Sequence, residues 1–119
     1  MEDFNAKAAK EIADKAADEN EIKFQEKMAK LDKNLEKDIQ RMTNDVLRLV
    51  EKTAKAGKYL VVYKWNSGLF YDEVKELYNY KLAAELKAHL TKRYGFWVEH
   101  RAFSFLGYYS LGVNWKEQH

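Results

Sequence analysis

The 119-residue chain contains no cysteine and no proline, and its five glycines are scattered at positions 57, 68, 95, 107 and 112. Without cysteine there is no disulfide framework, no thiolate nucleophile and no Cys-based zinc site, which points to a cytosolic setting. Scattered glycines exclude a phosphate-cradling loop, which needs them clustered. No apolar run approaches the ~18 residues of a membrane span, and the opening Met1-Glu2-Asp3 lacks a basic region followed by an apolar one. A soluble, cytoplasmic protein is expected. Nucleophilic catalysis is equally unsupported: Ser67, Ser104 and Ser110 sit in no Gly-x-Ser-x-Gly elbow. His89, His100 and His119 are not in metal-ligand spacing with one another or with a carboxylate pair. The expectation is a non-enzyme with no cofactor and no metal.

What is present is enough for one core. Aromatic residues make up 14% and charged residues 34% of the chain, so a single domain of this length can bury a centre and keep a solvated surface. The net charge of +2 is unevenly spread. Residues 1–56 hold 12 Lys and Arg against 13 Asp and Glu, a balance of −1, whereas residues 57–119 hold 9 against 6, a balance of +3. The second half therefore favours an anionic partner modestly, and falls short of a dedicated nucleic-acid binder.

Between Asn20 and Gly57 nothing breaks a helix, and apolar residues recur there at Phe24, Met28, Leu31, Leu35, Ile39, Met42, Val46 and Val50. That spacing predicts one amphipathic helix of roughly 35 residues, about 50 Å long. The step of four from Leu35 to Ile39 is a stutter, so a nearly straight helix fits better than a tight supercoil. A compact domain of this size has a radius of gyration near 13 Å. The helix should outrun its own core, which makes Met28, Leu31, Leu35, Ile39, Met42 and Val46 the candidate seam of a homo-oligomer. Ahead of it, residues 4–18 are Ala-rich with Asn5 as a cap, predicting a short helix packed on the long one. Asp18 to Glu21 is the natural break, with an uninterrupted helix as the alternative. Ala54-Lys55-Ala56-Gly57 ends the long helix.

The remainder reads strand, helix, strand, strand. Tyr59 to Trp65 is rich in β-branched and aromatic residues; Leu60, Val62 and Lys64 share one face, and Tyr59, Val61, Tyr63 and Trp65 the other. Asn66-Ser67-Gly68 signals a turn. Leu69 to Tyr94, entering as late as Asp72, predicts a helix with Val74, Leu77, Tyr78, Leu82, Leu86 and Leu90 on one face and Gly95 as its stop. Phe96 to Phe103 and Tyr108 to Trp115 should pair as an antiparallel hairpin across Ser104 to Gly107, and the tail from Lys116 should be loose. The fold class is α+β: a helical arm over residues 1–56 and a small three-stranded sheet module over 57–119, packed on a helix within one domain. Lys64, Trp65, Arg93, Trp97, His100, Arg101 and Tyr108 combine cations with flat rings, the mix found at nucleotide sites and at protein interfaces. Many of these rings also suit a core.

Four pieces of the chain, Asn5-Ala6-Lys7, the stop Ala54-Lys55-Ala56-Gly57-Lys58, the turn Tyr94-Gly95-Phe96-Trp97-Val98 and the closing Leu111-Gly112-Val113-Asn114-Trp115, occur in an order that resembles small α+β accessory proteins of tailed bacteriophages. The resemblance implies an accessory role during infection, such as binding and blocking a component of host defence, in the host cytosol. It transfers no site residues. The expected partners are other copies of the chain, then a host protein or a small nucleotide captured by an oligomeric sponge. A structural role in the virion is a further alternative; nucleic acid ranks last, and no membrane partner is expected.

Overall fold

The computed structural model describes residues 4–66, 73–103 and 108–116, except for the side chains of Ala102 and Phe103. The turn at Ser67 and Gly68, the helix start over residues 69–72, the hairpin connection Ser104 to Gly107 and the last three residues of the tail lie outside the described residues. Two helices come first, α1 (Ala6–Asp32) and α2 (Leu35–Lys55), followed by strand β1 (Leu60–Asn66), helix α3 (Glu73–Tyr94) and strands β2 (Trp97–Phe103) and β3 (Tyr108–Asn114). The fold is α+β.

The helical segment departs from expectation in where it breaks. α1 runs straight through the acidic cluster at residues 18–21, capped as expected by Asn5, whose Oδ1 accepts from the Ala8 N–H at 3.0 Å. The interruption falls instead at Lys33 and Asn34, inside the stretch expected to be continuous. Neither residue leaves the right-handed helical region. The Asn34 N–H reaches only three residues back, to the Leu31 carbonyl at 2.9 Å, tightening one turn. Asparagine is a weak helix former because its amide competes for backbone groups, and without Gly or Pro the chain resumes at once as α2. At ~1.5 Å per residue the two helices laid end to end measure about 75 Å, close to the molecule's longest dimension of 78 Å. The radius of gyration is 20.5 Å.

α1 is therefore an extension and not the packing helix expected: none of its residues is buried. Its last turn meets the body, where Lys81 Nζ lies 3.2 Å from Asp32 Oδ1. α2 enters the core. Met42 and Val46 are fully enclosed with Leu82, Leu86 and Leu90 of α3 and with Tyr63, Val98, Leu111 and Val113 of the sheet. Leu31, Leu35 and Ile39 pack against that cluster from its edge. This corrects the candidate seam: Met42 and Val46 are spent within the chain itself. The apolar face of α3 is as read, except that Leu77 is exposed while Asn79 and Ala83 are buried.

Both α2 and α3 close with a glycine at positive φ, Gly57 at 78° and Gly95 at 75°. After each, the next N–H returns to the last turn: Lys58 to Thr53 O at 3.2 Å and Phe96 to Leu90 O at 3.3 Å. A left-handed residue there satisfies carbonyls the helix leaves open. The chain is thereby turned back into β1 and β2. The sheet order is β1-β3-β2, all antiparallel, with β3 in the centre. The expected β2–β3 pairing forms, with a bulge between His100 and Ala102 that leaves Arg101 without a partner residue on β3. α2 and α3 cover one face of the sheet.

Because Leu86 is wholly enclosed and Ile12 is 61% exposed, their truncations should separate core from arm. Leu86→Ala is expected to lower the urea-unfolding free energy by about 2–5 kcal/mol, and Ile12→Ala by less than about 0.5 kcal/mol. Equal losses would place α1 in the cooperative core.

Candidate functional site

Alternation along the strands sorts the candidate residues onto different surfaces. On β1, Val61, Tyr63 and Trp65 turn toward the helices, while Leu60, Val62, Lys64 and Asn66 turn to solvent. Register extends this face across β3: Leu60 opposes Asn114, Val62 opposes Gly112, Lys64 opposes Ser110 and Asn66 opposes Tyr108, with Ser110 and Gly112 themselves buried. On the other side of β3, Trp97 opposes Asn114 and Glu99 opposes Gly112. Lys64, Trp97, Arg101 and Tyr108 thus share one open face. Trp65, Arg93 and His100 do not belong to it.

Trp65 is structural. Its Nε1 donates to Asn79 Oδ1 at 2.9 Å, and its ring stacks between Tyr63 and Tyr109 at centroid distances of 5.9 and 5.6 Å. Asn79 in turn donates to the Lys75 carbonyl at 2.7 Å, so this buried amide is fully engaged. Two further tyrosines tie the helices down. The Tyr78 hydroxyl donates to Asp38 Oδ2 at 2.7 Å and the Tyr63 hydroxyl to Asp45 Oδ2 at 3.4 Å. Burial and the neighbouring carboxylate push both phenols up, Tyr63 to about 12 and Tyr78 further.

Arg93 lies near the end of α3, its guanidinium 5.8 Å from the Tyr94 ring centre. It lines a groove of about 550 Å³ between α2 and α3, with Leu35 and Ile39 among its apolar residues and Glu36, Glu85 and His89 among its polar ones. His100 follows the register of the helix-facing residues, opposite Leu111. Although the residue is largely exposed, partial desolvation of the imidazole and the Lys87 ammonium of α3 hold its pKa below the usual histidine value.

The open face has its own relief. A groove of about 280 Å³ is lined by Leu60, Trp97, Glu99, Arg101, Gly112, Asn114 and Lys116. The Trp97 indole donates to Glu99 Oε1 at 2.8 Å, and the residue remains 42% exposed. Lys116 places its ammonium 5.8 Å from the Tyr59 ring centre, and its backbone N–H donates to Asn114 Oδ1 at 2.9 Å. Leu60, Val62 and Tyr108 are also exposed. The arrangement can hold a flat, anionic group; among the described residues no three metal-ligating side chains cluster, and no helix is long and apolar enough to cross a membrane.

Sequence reasoning found the two large rings and two of the cations on this face. It passed over Gly112 and Lys116. A glycine inside a strand marks a close approach by another group, and that signal was available at Gly112. No family model, curated protein or solved structure matches the chain.

The tryptophans give a direct check. Trp65→Phe leaves the buried Asn79 oxygen without its donor and is expected to cost about 1–3 kcal/mol, whereas Trp97→Phe should stay within about 0.5 kcal/mol of the parent. The raised phenols set a second expectation. Below pH 10 the Tyr63 contribution to stability is complete. Above that, the unfolded chain ionises first and stability falls until about pH 12, where the folded phenol also ionises. Chemical denaturation across pH 9–12 should show this fall, and Tyr63→Phe should shrink it.

Proposed function

We propose that this is a non-enzymatic bacteriophage accessory protein, acting in the host cytosol as a homo-oligomer, that binds and thereby inhibits a component of bacterial defence through the open face of its sheet. The observation that carries this reading is the composition of that face. Leu60, Val62, Trp97 and Tyr108 remain exposed there beside Lys64, Arg101 and Lys116. Large rings and arginine supply most of the binding energy at interfaces, and a sheet face with helices behind it is a rigid platform on which to mount them.

Self-association is supported by α1. The stripe that begins in the core at Val46 continues outward through Leu31, Met28 and Phe24 and passes into the alanines of the first turns, and along α1 none of its residues is buried. Helices in proteins draw most of their stability from packing an apolar face, so a second α1 is the natural cover.

Light scattering at tens of micromolar should return a multiple of 14.1 kDa. Met28→Asp, which charges the stripe outside the core, should return the single-chain mass while circular dichroism shows the body still folded; a parent protein already at 14.1 kDa overturns the oligomer. For the binding face, affinity capture from infected cells with the parent and with Trp97→Ser/Arg101→Ser should retain one macromolecule on the parent alone. Identical retention by both would remove the face from the function.

A further inference from the structure

We propose that the open face of the sheet binds single-stranded nucleic acid, one nucleotide seating beside Arg101 and Trp97 and the strand running over Lys64 to Tyr108. This rests on the reading of that face as the capture surface and names the chemistry of what it captures.

The inference begins at Gly112, in the middle of the central strand. A β-carbon built there would lie 2.5 Å from Arg101 Nε and 3.3 Å from both Arg101 Cγ and Cζ. The guanidinium therefore rests directly on the backbone of β3, in the space a side chain would fill. Arg101 is also the residue the β2 bulge leaves over, and a bulge re-aims a side chain across a sheet. Fold and sequence together bring one arginine down onto the platform at Gly112. Arg101 forms no ion pair with any described residue, and neither does Lys64 or Lys116. The nearby carboxylate, Glu99, accepts from the Trp97 indole. An arginine held in place without an ion-pair partner among the described residues is suited to bidentate contact with a phosphate.

The rings select among anions. Trp97 is anchored through its nitrogen yet 42% exposed, and Tyr108 is 51% exposed at the opposite end of the same face. Tyr108 and the Trp97 partner Asn114 are the two ends of β3, about 20 Å apart at ~3.3 Å per residue. Two stacking platforms with cations between them describe a track for a strand. An acidic peptide would have no bases to place on either ring. A free nucleotide would use the groove but not Lys64 or Tyr108, and the groove's 280 Å³ lies just below the usual range for a whole small ligand. The chain's modest net charge of +2 does not oppose the assignment, because among the described residues of this face Lys64, Arg101 and Lys116 stand against Glu99.

The full chain is titrated into a fluorescein-labelled ten-nucleotide thymidine strand at low salt and followed by anisotropy. Saturable binding is expected, weakening with salt at a logarithmic slope of about −2, as contact with three phosphates implies at ~0.7 per phosphate. Arg101→Gln and Trp97→Ala should each weaken binding about tenfold or more, while Lys15→Gln, which removes the same charge from α1, should leave it unchanged. Gly112→Ala should reproduce the Arg101 loss by displacing the guanidinium. Circular dichroism melts establish that each variant is folded, and Tyr108→Ala, at an exposed position, serves if another is not. No saturation by about 100 μM, the weak end of non-specific binding, overturns the proposal. Equal losses in Lys15→Gln and Arg101→Gln overturn it too, as does competition by thymidine monophosphate or inorganic phosphate at the concentration where the strand competes. If the strand fails to bind while Trp97→Ser/Arg101→Ser still loses its captured macromolecule, the nucleic-acid assignment falls and the capture face stands.

Discussion

Met42 and Val46, enclosed between α3 and the sheet, are the contact on which the rest of the molecule depends. Both are fully buried, and α2, which carries them, joins the arm to the body. Asp38 and Asp45 flank the pair and accept hydroxyls from α3 and β1 respectively. A shift of α2 by one residue would rotate Met42 and Val46 out of the cluster and separate both carboxylates from their tyrosines. Apolar burial supplies the attraction, and the hydrogen bonds fix the register. The direction of α1 follows, because the joint at Lys33 and Asn34 stays helical.

The same stripe explains how far the sequence could be read. Its period of three to four is explicit in the residues and announces helix on both sides of Lys33 and Asn34, though not the break between them. What covers it cannot be read from one helix alone. Leu35 and Met42 look alike in the pattern, yet one lies at the edge of the core and the other at its centre, because position along α2 relative to α3 decides burial. The break at Asn34 was illegible for a related reason. It costs one hydrogen-bond register and no change of backbone region, so it needs neither glycine nor proline. The acidic cluster at residues 18–21 carries good capping residues, but with helical alanines before it and an amphipathic run after it, the chain simply continues.

On the sheet, alternation was legible and its consequence was not. Trp65 belongs with Tyr63 by parity, and parity alone places it under the helices, engaged with Asn79. Counting cations and rings irrespective of face joined it to Trp97. The bulge at Arg101 lies beyond parity arguments altogether, since it appears only when β2 and β3 are paired residue by residue. The open face results from that pairing, with helices covering one side and a glycine on the other clearing room for one arginine.

The order β1-β3-β2 has one more consequence. Among the described residues, the two outer strands each pair on one flank only, and such margins can template further strands from other molecules. Here one margin is bent by the bulge and carries Glu99 and Arg101, and the other carries Lys64. Irregularity and charge at its borders let the molecule stay crowded without growing into a continuous ribbon.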